Sequence, residues 1–362
     1  MGRKFMYSVL ALALSTSLVV AEEEKKQDES GVFGQVRLGY INTDNNVTDV
    51  ETLSIGGKLG YTSPTYRGMS AGAVFYTTNP LGGLDDDGFF LDSNNDGYSI
   101  LGEAWVNADI GKTSVKLGRQ TIDTPFADTD DIGMIQNAFE GIVITNNSIA
   151  NTELFAAHLS RWSGVDAPTP EKFTKLDNDH GVNVFGVNYD VDKWGAQLWF
   201  YDSSNGTDMT YADVTLRPND AIELGLQYAD QNDTTNNNSG SDGSVWGATA
   251  SYTMKDVTVA VDHNSVSGKG VTNGFGGGPF YTSAIDHTVA DVQDQSATAI
   301  GVEYTGLKDW TFGVRKINFD KGEDELDLTV GYQIRKNLHA GLEYADMDND
   351  GTITKAFVNF DF

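Results

Sequence analysis

The chain has 362 residues, 24 Lys and Arg against 52 Asp and Glu, a formal net charge of −28 and no cysteine. The missing cysteine excludes a disulfide scaffold, a cysteine-ligated metal site and a cysteine nucleophile, and the acid excess argues against a nucleic-acid binder, which needs a basic footprint. A mean hydropathy of −0.33 looks soluble, yet a membrane barrel needs an apolar residue only at every second strand position.

Gly2-Arg3-Lys4 is a short positive start, Phe5 to Val20 an apolar run, and Val19-Val20-Ala21 a cleavage-like end before Glu22. Residues 1–21 therefore read as a secretory signal peptide, and the polar residues 22–31 as a disordered lead-in. The rest, 32–362, reads as a single domain. No later run approaches the ~20 apolar residues of a membrane helix.

From Val32 onward the pattern has period two. Val32, Gly34, Val36, Leu38 and Tyr40 share one face while Gln35 and Arg37 take the other, and Leu326, Leu328 and Val330 alternate with Asp327 and Thr329. In a strand such sets lie on opposite faces. About 18 segments of this kind follow one another, near 32–42, 51–62, 69–78, 98–110, 113–121, 137–145, 151–162, 181–190, 194–203, 209–216, 221–231, 244–253, 256–264, 297–305, 309–318, 326–334, 338–346 and 352–362. Their connections alternate in length. Gly111-Lys112, Asp192-Lys193, Pro218-Asn219, Lys255-Asp256, Lys308-Asp309 and Lys336-Asn337 are short, whereas 79–97, 122–136, 163–180, 232–243 and 265–296 are long. The expected fold is all-β, a transmembrane antiparallel β-barrel with an even strand number, short periplasmic turns and long external loops, seated in outer-membrane lipid. A secreted sandwich buries its apolar face internally and gives no reason for this alternation. Tyr40, Tyr61, Tyr189, Trp194, Trp310 and Tyr344 fall near strand ends, where aromatic rings suit a membrane interface.

The same parity places Arg37, Lys58, Glu103, Lys116, Glu223, Glu303, Arg315, Asp327, Arg335, Glu343 and Lys355 on the inward side. Each Arg or Lys would cost ~2–4 kcal/mol on the lipid side near the midplane. Arg119 breaks the parity, because it shares a face with Val115 and Leu117. Either a bulge at the strand end turns it inward or it is a rim residue. Asp92-Ser93-Asn94-Asn95-Asp96-Gly97 with Glu103 fits the calcium-loop pattern D-x-N-x-D-G-x5-E. Asp92, Asn94, Asp96 and Glu103 are thus candidate ligands for a structural Ca²⁺, although a hairpin turn explains the Asp, Asn and Gly equally well. No other cofactor and no enzymatic activity are expected, since there is no G-x-S-x-G elbow and the five His residues show no metal spacing.

Three blocks carry a family likeness. The first is Leu117-Gly118-Arg119-Gln120, Asp123-Thr124-Pro125, Asp130-Asp131-Ile132-Gly133-Met134-Ile135 and Asn137-Ala138-Phe139-Glu140; the second is Gly274-Phe275-Gly276-Gly277-Gly278-Pro279-Phe280-Tyr281-Thr282-Ser283; the third is the terminal Phe362. With them the chain resembles the OprD-like porins of bacterial outer membranes, in the form found in epsilonproteobacteria, with Campylobacter major outer-membrane proteins as a more distant likeness. The resemblance implies an 18-stranded barrel that passes small hydrophilic solutes and ions passively, often as a homotrimer. The family often has Arg and Pro where this chain has Gly133 and Gln136, so the basic side chain expected near a constriction is missing there. By its place after the fifth strand and by the resemblance, 122–136 is expected to fold inward. Asp123, Asp128, Asp130 and Asp131 would then face Arg37, Lys58, Lys116, Arg119 and Arg315 across a water-filled eyelet, where opposed charges select solutes by charge and dipole. The alternative function is a barrel serving mainly as a calcium-binding or adhesion surface protein.

Overall fold

The computed structural model describes residues 30–45, 47–82, 88–233 and 242–362. The expected signal peptide and nearly all of the lead-in lie outside the described residues. The strands in chain order are β1 (Gly31–Asp44), β2 (Asp49–Thr62), β3 (Met69–Pro80), β4 (Tyr98–Ile110), β5 (Thr113–Gln120), β6 (Ala138–Asn146), β7 (Thr152–Ser163), β8 (Thr174–Lys175), β9 (Val182–Val191) and β10 (Trp194–Ser203). They continue with β11 (Thr207–Asn219), β12 (Ile222–Asp233), β13 (Gly243–Met254), β14 (Val257–Gly268), β15 (Ser296–Tyr304), β16 (Trp310–Phe319), β17 (Glu325–Arg335), β18 (Leu338–Asp346) and β19 (Thr352–Asp361). Every strand pairing is antiparallel and joins chain neighbours, except that β7 pairs directly with β9 over most of its length and β1 pairs with β19. β1 pairs with both β2 and β19, which closes the ring. Closure leaves no open sheet edge, the one arrangement in which strands can stand in hydrocarbon with every backbone group bonded. The two-residue β8 stands apart, extending β7 beyond the point where β9 begins. The barrel proper therefore has 18 strands.

Exposure follows the predicted parity. Val36 and Leu38 are 44% and 38% exposed, whereas Arg37 between them is 4% exposed. Glu103, Arg315, Asp327, Glu343 and Lys355 are likewise buried on the inner wall. Solvation cost explains the assignment: an ionised side chain finds water or a partner inside and neither on the lipid face.

Arg335 departs from the expectation. A register shift between Gln333 and Arg335 moves it onto the face of Leu338 and Phe360, where its guanidinium lies 5.7 Å from the Phe360 ring centre. A bulge of this kind inserts one residue and flips the parity beyond it. The turn expected at Pro218-Asn219 instead falls at Asp220-Ala221, because β11 runs through Asn219 with a register shift after Leu216.

The inner side carries two large apolar clusters and a small one of Ala345, Met347 and Ile353. One large cluster gathers Phe126, Phe139, Trp162, Trp199, Tyr201, Tyr211 and Phe280. The other gathers Phe33, Tyr76, Phe90, Met134, Ile135 and Phe357. Phe126, Met134 and Ile135 come from the β5–β6 connection and Phe280 from the β14–β15 connection, so both loops pack on inward-facing rings instead of extending away from the rim.

Candidate functional site

The β5–β6 loop (121–137) is held at both halves. Its first half closes a tight turn in which the Thr124 amide donates to the Ala127 carbonyl at 2.9 Å. Phe126 then lies 5.5 Å from the Tyr201 ring, 6.0 Å from Tyr211 and 6.2 Å from Phe280. Its amide donates to the Tyr201 hydroxyl at 3.1 Å, and that hydroxyl donates to Thr124 Oγ1 at 3.0 Å. In the second half Asp131 receives both arms of the Arg37 guanidinium, at 2.6 and 2.8 Å. Arg37 also donates to the Gly133 carbonyl at 2.6 Å and to Asn359 Oδ1 at 2.8 Å. A bidentate fork of this type fixes direction as well as distance.

The β14–β15 loop (269–295) reaches the same place. The Asp128 amide donates to the Phe275 carbonyl at 3.3 Å, and the Phe275 amide to the Phe126 carbonyl at 2.9 Å. The glycine run makes this approach feasible, for at Gly276 (φ 116°) a Cβ would meet the Asp128 carbonyl oxygen at 2.7 Å. Arg315 donates to the Ser283 carbonyl at 2.6 Å and to the Tyr281 carbonyl, and pairs with Asp262 at 3.0 Å. Glu325 accepts the amides of Asp286 and His287 at 3.0 and 2.8 Å.

Between these loops and the wall lies a cavity of 620 Å³. Asp123, Asp128, Asp130 and Asp166 line it, together with Asp286, Asp327 and Glu343; Arg315 and Lys355 are its cations. Lys355 stands 3.6 Å from Glu343. Burial pushes Asp128 up to about 7, reinforced by the charge of Asp123. Burial, then the charges of Asp166 and Asp128, hold Asp130 well above the usual carboxylate range, and Asp130 and Asp166 are hydrogen-bonded to each other. Burial raises Asp166 as well. Asp131 goes the other way: burial opposes ionisation, but the Arg37 charge and hydrogen bonds outweigh it and hold the group below its ordinary value.

The structure therefore brings Asp123, Asp128, Asp130 and Arg315 to one cavity, whereas Arg37, Lys58, Lys116, Arg119 and Asp131 do not line it. Arg37 and Asp131 are joined in a direct ion pair and do not face each other across water. Lys58 adds its charge to the surroundings of Asp131. Lys116 sits over the Trp105 ring at 4.4 Å. Arg119 lies on the outer face at the rim, paired with Glu140 at 3.1 Å. No bulge turns it inward, because β5 keeps unbroken register with both β4 and β6 through Arg119; the register shift at Glu140/Gly141 belongs to the β6–β7 pairing. The calcium pattern is not assembled either. Asp92 closes a local turn by accepting the amides of Asn94 and Asp96 at 2.8 and 2.9 Å. Glu103 sits on the wall and accepts the Tyr76 hydroxyl at 2.8 Å. Among the described residues no three carboxylate or imidazole side chains gather as a metal site.

Sequence reasoning missed Asp286 and, with more consequence for the site, Asp166. It comes from the β7–β8 connection and is placed by Asn137, whose amide nitrogen donates to its carboxylate at 2.6 Å while Asn137 Oδ1 accepts the Asp166 amide at 3.1 Å. An exchange over 29 residues leaves no spacing signal.

A closed 18-strand barrel with an apolar exterior, a charged inner wall and loops packed inside it defines an outer-membrane porin. The chain belongs to the OprD family of outer-membrane porins, whose model matches residues 84–306. The fold agrees with that of solved porins. Pseudomonas aeruginosa OpdK, crystallised with vanillate, superposes with a TM-score of 0.81 at 16% identity, over 91% of this chain and 98% of OpdK. Pseudomonas aeruginosa OccK8 (OprE) gives 0.79 at 17% identity over 92% and 98%, and Acinetobacter baumannii OccAB4 gives 0.78 at 15% over 93% and 99%. Among curated proteins none matches.

Proposed function

We propose that the protein is a passive diffusion porin whose passage is narrowed by the β5–β6 and β14–β15 loops, and that the narrowing favours cations. The observation that carries this reading is the acid excess on the cavity: seven carboxyl groups (Asp123, Asp128, Asp130, Asp166, Asp286, Asp327 and Glu343), of which Asp130 and Asp166 share a proton, against Arg315 and Lys355. Arg315 is spent on Asp262 and two loop carbonyls, and Lys355 on Glu343. A narrow, low-dielectric passage focuses the field of the remaining carboxylates, raising the local concentration of cations and repelling anions. Small hydrophilic solutes bearing an ammonium or guanidinium group are the class this suits. Because Asp128 titrates near 7, the preference strengthens as pH rises through neutrality.

The test is the reversal potential of single channels in a salt gradient across a planar bilayer. Cation preference that grows from acid to alkaline pH supports the reading; anion preference at alkaline pH overturns it.

A further inference from the structure

The outer wall carries a charged feature that solute passage does not use. Arg119 on β5, Glu140 on β6, Arg161 on β7 and Lys175 on β8 are register partners in turn, forming one row across four strands. The row faces outward. Arg119 stands two residues beyond exposed Leu117, and Glu140 two beyond Ile142, which pairs with Leu117. The neighbours in chain confirm the direction, for Phe139 and Trp162 are buried on the inside and stack on one another.

Its composition runs against the rest of the molecule. A chain of net charge −28 here presents three cations beside two carboxylates, Glu140 and Asp179. Glu140 holds the Arg119 guanidinium at 3.1 Å and lies 3.9 Å from Arg161. The Phe173 ring covers Arg119 at 4.2 Å. The side chains of Arg161 and Lys175 remain 43% and 55% exposed; Lys175 pairs with Asp179, which is exposed as well. The outward apolar strip beneath the row is short, with Val115 and Leu117 on β5, whereas β1 carries Val32, Val36, Leu38 and Tyr40. The row thus marks where the lipid-facing wall turns from apolar to cationic, at the long-loop end of the barrel.

We propose that this row, Arg119–Glu140–Arg161–Lys175, is a binding site for the phosphate groups of an anionic lipid in the outer leaflet. Arg161 and Lys175 contact the phosphate oxygens, and Glu140 and Phe173 orient Arg119 beside them. Forked guanidinium donors suit phosphate, and clustered cations at the headgroup level recognise anionic lipid. The carboxylate keeps two arginines together that would otherwise repel, so it is a positioning residue.

Native mass spectrometry of the full-length porin, loaded with bis-phosphorylated lipid A or with its dephosphorylated form, tests the assignment. The wild type should retain the phosphorylated lipid and not the dephosphorylated one. Arg119→Gln/Arg161→Gln/Lys175→Gln should weaken retention about tenfold or more, while Lys316→Gln, an outward cation paired with Asp324 on the opposite side of the ring, should leave it unchanged. Heat-resistant migration and unaltered single-channel conductance verify that the variants are folded and separate this outcome from failure of the cation-preference reading. Equal retention by the triple variant, retention independent of phosphate, or burial of the row against a second copy of the chain in cross-linking would each overturn the proposal.

Discussion

Two buried arginines hold the two inward loops, and they do so differently. Arg37 takes the β5–β6 loop through a charged side chain, Asp131, in a bidentate pair. Arg315 takes the β14–β15 loop through main-chain carbonyls and uses its charge on Asp262 of the wall. The first anchor depends on loop sequence and on pH; the second depends on loop path. Selectivity and loop retention can therefore be altered separately.

The largest effect is expected at Arg315. Arg315→Ala strands Asp262, which is fully buried, and leaves two carbonyls without their donor; breaking such a pair costs about 3–5 kcal/mol. Unfolding in denaturant from detergent micelles should show that loss, and limited proteolysis should cut within 269–295. Arg315→Lys should behave nearly as badly, because an ammonium donates from one point, whereas Arg315 reaches the Ser283 carbonyl from one guanidinium nitrogen and Asp262 and the Tyr281 carbonyl from the other.

Arg37→Ala is expected at the lower end of the same range, since Lys58 still faces Asp131. Arg37→Lys should recover part of the loss, which is the distinction between a side-chain anchor and a main-chain anchor. The recovery is read as single-channel noise and as protection of 121–137 from protease.

The pH dependence sharpens the contrast inside one loop. Asp131 is held below its ordinary value, so its contribution is complete above the unfolded carboxylate value of about 4 and is lost as pH falls through the lower folded one. Asp128 is raised to about 7, so the loop is favoured with this group protonated and that contribution is lost as pH rises from about 4 through 7. Between them the loop stays anchored while its inner face gains charge. Asp128→Asn should flatten the pH dependence of the reversal potential between pH 5 and 8 (about two units around the titration) without loosening the loop. A steep dependence surviving in this variant would assign the titration to Asp130 and Asp166 instead.

The smallest effect is expected at Tyr201. Tyr201→Phe removes the hydroxyl that joins Thr124 to the Phe126 amide and keeps the ring contact. About 1 kcal/mol is expected, visible in denaturant unfolding and not in conductance.

Much of this was legible in the sequence where one local rule sufficed. Arg37, Glu103, Arg315, Asp327 and Lys355 face inward as their parity requires, since a charged side chain on the lipid face is costly. The rule failed at Arg335, where a bulge resets the count, and misled at Glu103, whose spacing from Asp92 imitates a metal loop although it belongs to the wall. Asp166 could not be found, because its place is set by Asn137 from another connection.

Alternation by itself determined the barrel, its strand number and its inside, because burial in lipid acts residue by residue along each strand. Which charges meet was decided only by closure and by the inward loops. Arg37 finds Asp131 across 94 residues and Arg315 finds the Ser283 carbonyl across 32. Such meetings depend on the path of the loops within the ring, and no period along the chain encodes that path.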